Sequence, residues 1–140
     1  MSAIIPAIKY ENCSLAIDWL CDVFGFRVNF CVQGEEARIE HAQLLLAEAM
    51  IMVGSTDRSD FGLLHICPNR IAGQVTSSLY IVVSDVGAHY EKAKGLGAEV
   101  VIELKIEDYG GASYTCRDIE GHIWTFGTYD PFASVGSQDI

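Results

Sequence analysis

One pattern of helix cap, helix, stop and strands occurs twice in this chain, and it limits the possible folds more than any other feature. Asn12 is a good N-cap for a helix over Ser14–Phe24, and Gly25 follows as a left-handed stop. Asp85 stands in the same relation to a helix over Val86–Leu96, with Gly97 as its stop. The spacings are 13 and 12 residues, and the ends Val53-Gly54-Ser55 and Phe126-Gly127-Thr128 also correspond, so the repeat is about 73 residues long. Each copy reads as βαβββ. The strands of the first are Ile4–Tyr10, Phe26–Val32, Arg38–Leu46 and Met50–Val53; those of the second are Leu79–Ser84, Glu99–Glu103, Ala112–Arg117 and His122–Thr128. Such an order is hard to obtain twice by chance and argues for duplication.

The expected class is therefore α+β, with two tandem βαβββ modules forming a curled mixed sheet with an open cleft. Within a single domain, module one covers about 3–55, a connecting loop about 56–77, module two about 78–131 and a C-terminal tail 132–140. One helix covers only one face of a four-stranded sheet, which leaves the other face for its twin or a ligand. In the first helix, Leu15, Trp19 and Val23 form an apolar stripe. Strand alternation puts Ala42, Leu44, Leu46, Trp124 and Phe126 under the helices. It turns His41, Gln43, Ile123, Thr125 and Gly127 toward the cleft.

Charge narrows the partners. Nine Lys and Arg against 19 Asp and Glu give a net charge of −10, a field that repels phosphate backbones and anionic membranes, so neither nucleic acid nor membrane is expected. No apolar run approaches the roughly 18 residues of a membrane-spanning helix, and no basic leader precedes the first strand, which points to the cytoplasm. Five cysteines, Cys13, Cys21, Cys31, Cys67 and Cys116, form neither a CxxC motif nor a zinc-like cluster, and read as reduced, mostly buried thiols.

Several stretches resemble the vicinal-oxygen-chelate superfamily of glyoxalases, bleomycin resistance proteins and dioxygenases. They are Ala16–Leu20 running to Phe24-Gly25-Phe26, His41-Ala42-Gln43-Leu44, and Asp85 with Ala88-His89-Tyr90 through Gly97-Ala98-Glu99. Most specific is the tail: Asp108-Tyr109-Gly110-Gly111, Arg117-Asp118, then Glu120-Gly121-His122-Ile123-Trp124-Thr125-Phe126 through Pro131. The resemblance spans about residues 3–132 and implies paired βαβββ modules, often dimeric. It also implies that a metal-using member places one ligand on the first strand and one on the last strand of each module. The first-strand places, seven residues before the capping Asn or Asp, hold Ile5 and Ser78. Thr125 takes the last-strand place of module two, and the repeat makes Met52 its counterpart. None of the four is a competent ligand for a hard or borderline divalent ion, so neither metal nor cofactor is expected.

The superfamily contains both enzymes and pure binders, so whether this chain catalyses a reaction stays open. The leading expectation is a metal-free binder, or metal-independent enzyme, for an amphipathic or aromatic ligand in the inter-sheet cleft, working as a homodimer. The expected ligand-binding residues are His41, Gln43, Met50, Met52, Ser78, Tyr80, Tyr109, Ile123 and Thr125. His41 serves there as ligand contact or general base, or else as a hydrogen-bonded structural residue. His65 in the loop, His89 on the polar side of a helix and His122 at a turn read as structural. Glu107-Asp108-Tyr109-Gly110-Gly111 reads either as a lid or as an ordinary connection. The rivals are a metal-dependent lyase, isomerase or dioxygenase with ligands displaced to His41, Gln43 and Glu48, and a pure interaction module whose cleft is filled.

Overall fold

In the computed structural model, which describes residues 1–133, the repeat reappears in the strand register. Ala7 lies opposite Met52 in one parallel strand pair, and Tyr80 lies opposite Thr125 in the other, each residue 73 positions from its counterpart. The first sheet comprises β1 (Ala7–Tyr10), β2 (Arg27–Gln33), β3 (Ile39–Leu46) and β4 (Ala49–Ser55) in the order β1-β4-β3-β2. The second comprises β5 (Leu79–Val82), β6 (Glu99–Ile106), β7 (Ala112–Arg117) and β8 (Ile123–Gly127) in the order β5-β8-β7-β6. Each is mixed, with the first strand parallel to the last and the other pairs antiparallel. Two tandem βαβββ modules are thus present. Residues 134–140, most of the expected tail, lie outside the described residues.

Contacts divide the chain into two compact units, Met1–Val75 with Ile119–His122, and Thr76–Asp118 with the described residues from Ile123 on. In the first unit the Glu120 carboxylate accepts hydrogen bonds from the backbone N–H groups of Glu11 (2.7 Å) and Asn12 (2.8 Å). His122 Nε2 lies 3.1 Å from the Lys9 carbonyl, and its ring meets Tyr10 edge-on.

Helix α1 (Cys13–Trp19) is capped by Asn12, whose side chain accepts from Leu15 N–H, and α2 (Val86–Gly95) by Asp85, which accepts from Ala88 N–H. Gly25 and Gly97 end the two helical segments at φ 89° and 98°, in the left-handed region where glycine carries no Cβ penalty. Between Trp19 and Gly25 the helix widens into a π-turn, Leu20–Phe24. The buried face is not the expected stripe: Leu15 is 51% exposed, and Trp19 is only half-buried, edge-on to Phe24. Cys13, Ala16, Ile17, Leu20, Val23 and Phe24 face the sheet instead. Small residues at positions 13 and 16 let the backbone approach the strands, and the π-turn shifts the helical phase of Leu20–Phe24 relative to α1.

Strand ends differ from the expected ones by a few residues. β2 begins at Arg27 and is exposed throughout, as an edge strand, while β6 runs on to Ile106. The connecting loop contains two short 3₁₀ turns, Gly62–Leu64 and Pro68–Arg70. The alternation holds at the centre of each sheet: Ala42, Leu44, Trp124 and Phe126 are fully buried, whereas Leu46, at the end of β3, is half-buried. His89 departs from expectation. Its Nδ1 lies 2.6 Å from the Tyr114 hydroxyl and its ring 4.1 Å from that of Phe126, so it packs on core aromatics rather than on the polar side of α2.

Candidate functional site

Each sheet has a second face, opposite the one packed on its helix. On the first, His41, Gln43 and Leu45 of β3 are half-buried between fully buried Ala42 and Leu44. Met50 and Met52 of β4 alternate with buried Ile51 and Val53, and the register sets Met52 beside Gln43 and Met50 beside Leu45. β2 adds exposed Phe30 opposite Gln43 and Val32 opposite His41. The polar groups on this face form a directed chain. Asn29 Nδ2 donates to Gln43 Oε1 (3.3 Å), and Gln43 Nε2 lies 3.1 Å from His41 Nε2. An amide N–H₂ only donates, so His41 Nε2 accepts and the neutral ring carries its proton on Nδ1. His41 is thereby set as a hydrogen-bond donor beside Val32, with the Phe30 ring 6.3 Å away.

On the second sheet Tyr80, Ile123 and Thr125 share the face opposite the helix, and Ser78 lies exposed just before β5. The Thr125 hydroxyl is bonded to that of Thr115 at 2.7 Å. Tyr80 lies over Gly127, where an added Cβ would come within 2.5 Å of the phenol oxygen, and its hydroxyl donates to the Tyr129 carbonyl (2.7 Å). Burial raises the Tyr80 hydroxyl above its ordinary pKa, reinforced by Tyr109, Asp130 and Glu107. Tyr109 stands exposed on the β6–β7 turn, edge-on to Tyr129 at 5.0 Å. The Glu107 carboxylate accepts the Ser113 hydroxyl.

The structure therefore brings His41, Gln43, Met50 and Met52 together in one set, and Tyr80, Ile123 and Thr125 in another with Ser78 and Tyr109 near it. Asn29, Phe30, Thr115 and Tyr129 join these faces without having been expected. Thr115 lies one residue off the repeat, which would set Cys116 opposite Thr125 as Gln43 is set opposite Met52. Asn29 depends on the register shift between Val28 and Phe30. Lys9 and Arg117 are committed to ion pairs with Asp57 (3.7 Å) and Glu99 (3.6 Å).

Metal chemistry can be tested on the donor set itself. A hydrocarbon (Ile5), a thioether (Met52) and two hydroxyls (Ser78, Thr125), one of them bonded to Thr115, do not fit a hard or borderline divalent ion. The displaced set fares no better: from His41 to Leu46 is five strand residues, roughly 16 Å, and Glu48 lies exposed in the turn beyond. Among the described residues no three His, Cys, Asp or Glu side chains converge to hold an ion. Chemistry at the three buried thiols is also disfavoured. The five thiols are free, and burial pushes Cys13 and Cys116 up to about 12 and Cys67 to about 11, far from thiolate at neutral pH.

Fold and site define a tandem βαβββ protein whose sheet faces mix apolar side chains with a few orienting polar groups. The profile of the Glyoxalase/Bleomycin resistance protein/Dioxygenase superfamily matches residues 7–126, and the chain belongs to that superfamily. Among solved structures it is similar to TioX from Micromonospora sp. ML1, with 32% identity and a TM-score of 0.71 over 91% of this chain and 98% of that one. It also shares its fold with FosX, a genomically encoded fosfomycin resistance protein from Listeria monocytogenes, solved with Mn(II). There the identity is 12% and the TM-score 0.65, over 99% of each chain. An uncharacterized protein of Mycobacterium bovis is 25% identical over 99% of this chain and 89% of its own length. No helix among the described residues is long and apolar enough to cross a membrane.

Proposed function

We propose that this protein is a metal-independent small-molecule binder of the bleomycin-resistance kind, taking an amphipathic or aromatic ligand on the sheet faces opposite its helices. The observation that carries the reading is the first sheet's face, where the Asn29–Gln43–His41 chain ends on a hydrogen-bond donor beside Val32 and Phe30, with Met52 next to Gln43 and the Leu45–Met50 pair further along the same face. Apolar walls with few oriented polar groups are the usual make-up of a small-molecule site, and methionines adapt to irregular or planar shapes. The second face offers the same mixture in Tyr80, Ile123 and the Thr115–Thr125 hydroxyl pair.

Two further parts of the reading rest on separate grounds. A homodimer is favoured by edge strands such as β2, whose side chains are all exposed and whose outer backbone no strand of its sheet pairs. A cytoplasmic home is favoured by five unpaired cysteines.

The test is titration of a naphthalene-based fluorophore. His41→Ala is expected to weaken binding about tenfold, the equivalent of one hydrogen bond of about 1 kcal/mol or slightly more. Met52→Glu is expected to abolish it, because a carboxylate among apolar walls must be desolvated with no partner. Affinity unchanged in both variants would place the ligand elsewhere.

A further inference from the structure

Away from the sheet faces, the first unit holds a second feature with the character of a site, an open depression of about 510 Å³ lined by Arg38, Thr56, Asp57, Arg58, Gly62, Leu63 and His65. Its floor is a tight loop wound around Asp57. Asp57 Oδ1 accepts from the Ser59 N–H (2.9 Å) and from the Ser59 hydroxyl, which itself accepts from Gly62 N–H (3.0 Å). A Cβ on Gly62 would lie 2.0 Å from Asp57 Oδ1, so only glycine closes this loop. Asp57 Oδ2 faces Lys9 Nζ at 3.7 Å, and Lys9 in turn lies over the Phe61 ring at 5.5 Å. The Ser59 hydroxyl and amide, with Lys9 and Arg38, hold the Asp57 carboxyl below its ordinary pKa, so it is charged, and Lys9 compensates that charge.

What remains over the depression is positive. Arg38 spends one donor, Nη1, on the Thr56 carbonyl (2.8 Å), and a guanidinium has five. Arg58 is exposed at the rim. Among the described residues neither guanidinium forms an ion pair with a carboxylate, in a chain with ten more acidic than basic residues. His65 Nδ1 lies 3.0 Å from the Phe61 carbonyl; a carbonyl only accepts, so that nitrogen carries the proton. Two guanidiniums and the Thr56 hydroxyl beside one exposed leucine make a surface for an oxyanion with a small apolar body.

We propose that this depression binds a small molecule through a carboxylate or phosphate group held by Arg38 and Arg58. The site is separate from the sheet faces, so it stands whether or not the functional reading above does.

The experiment is titration of isotope-labelled protein with inorganic phosphate and, separately, acetate, at constant ionic strength, following backbone amide shifts. Saturable shifts at Thr56, Arg58, Gly62 and His65 are expected from at least one anion. Saturation by phosphate alone assigns a phosphate ligand, and by acetate alone a carboxylate. Arg58→Gln should weaken the binding about fivefold or more, the loss of one charged contact in a solvent-open site. Arg70→Gln, which removes the same charge from a residue paired with Glu11, should not. No saturable shift at these amides up to about 50 mM of either anion, or equal weakening by the two variants, would overturn the proposal.

Discussion

Trp124→Ala is expected to lower the stability of the chain by about 3–5 kcal/mol, the range for removing a large aromatic from a packed core. The side chain is 0% exposed and lies parallel to Phe126, 5° between planes and 6.1 Å between centroids. Its Nε1 donates to the buried Asp118 carboxylate at 3.0 Å, so truncation opens a cavity and also takes a donor from a buried charge. Domains of this size have only about 5–15 kcal/mol in hand, so the shift in the urea midpoint should be large and easily read. An unfolding free energy within about 1 kcal/mol of wild type would mean that the ring is not the anchor of the second sheet.

The second large effect is expected at Gly111, which sits at φ 72° in the turn between β6 and β7. Its N–H and carbonyl belong to a tight turn in which the Gly111 carbonyl accepts from Glu107 N–H at 2.9 Å. A Cβ there would come within 2.5 Å of Thr128 Oγ1 and 2.9 Å of the Tyr129 backbone nitrogen. The left-handed backbone costs an alanine about 1–2 kcal/mol, and the backbone clash adds a further 1–3, so Gly111→Ala should cost about 2–5 kcal/mol. The displaced groups reach the proposed binding face: Tyr129 packs against Tyr109, and its carbonyl holds the Tyr80 hydroxyl. Gly111→Ala should therefore also disturb the tyrosines of the second face, seen as altered near-ultraviolet circular dichroism well below the unfolding transition. A variant with wild-type stability and an unchanged spectrum would remove the turn from this account.

The architecture was legible because duplication writes each structural instruction twice. Asn12 and Asp85 both cap helices, Gly25 and Gly97 both stop them, and the 73-residue offset recurs in the pairing of Ala7 with Met52 and Tyr80 with Thr125. The π-turn at Leu20–Phe24 was not legible, because its residues suit an ordinary helix and only packing against the sheet selects the wider turn. For the same reason Leu15 and Trp19 passed for core positions, while Cys13 and Ala16, too small to stand out in an apolar pattern, are the residues that let the helix close on the strands. His89 was placed on the polar side of its helix; its partners Tyr114 and Phe126 are more than 20 positions away and cannot be read from the helix alone.

Of the candidate site, alternation alone delivered the shared face of His41, Gln43, Met50 and Met52. What it could not deliver was direction, the fact that Asn29 orients Gln43 and Gln43 fixes which nitrogen of His41 donates. That depends on a strand irregularity and on amide geometry, and neither leaves a mark in the order of residues.

The central claim, metal-independent binding of a small organic molecule, is tested most directly by native mass spectrometry of the protein as isolated from cells, beside its Met52→Glu variant. The predicted spectrum is a dimer that carries an organic adduct in the wild type, loses it in the variant, and holds no stoichiometric transition metal. A stoichiometric divalent metal, or an organic adduct retained equally by the variant, would contradict the account.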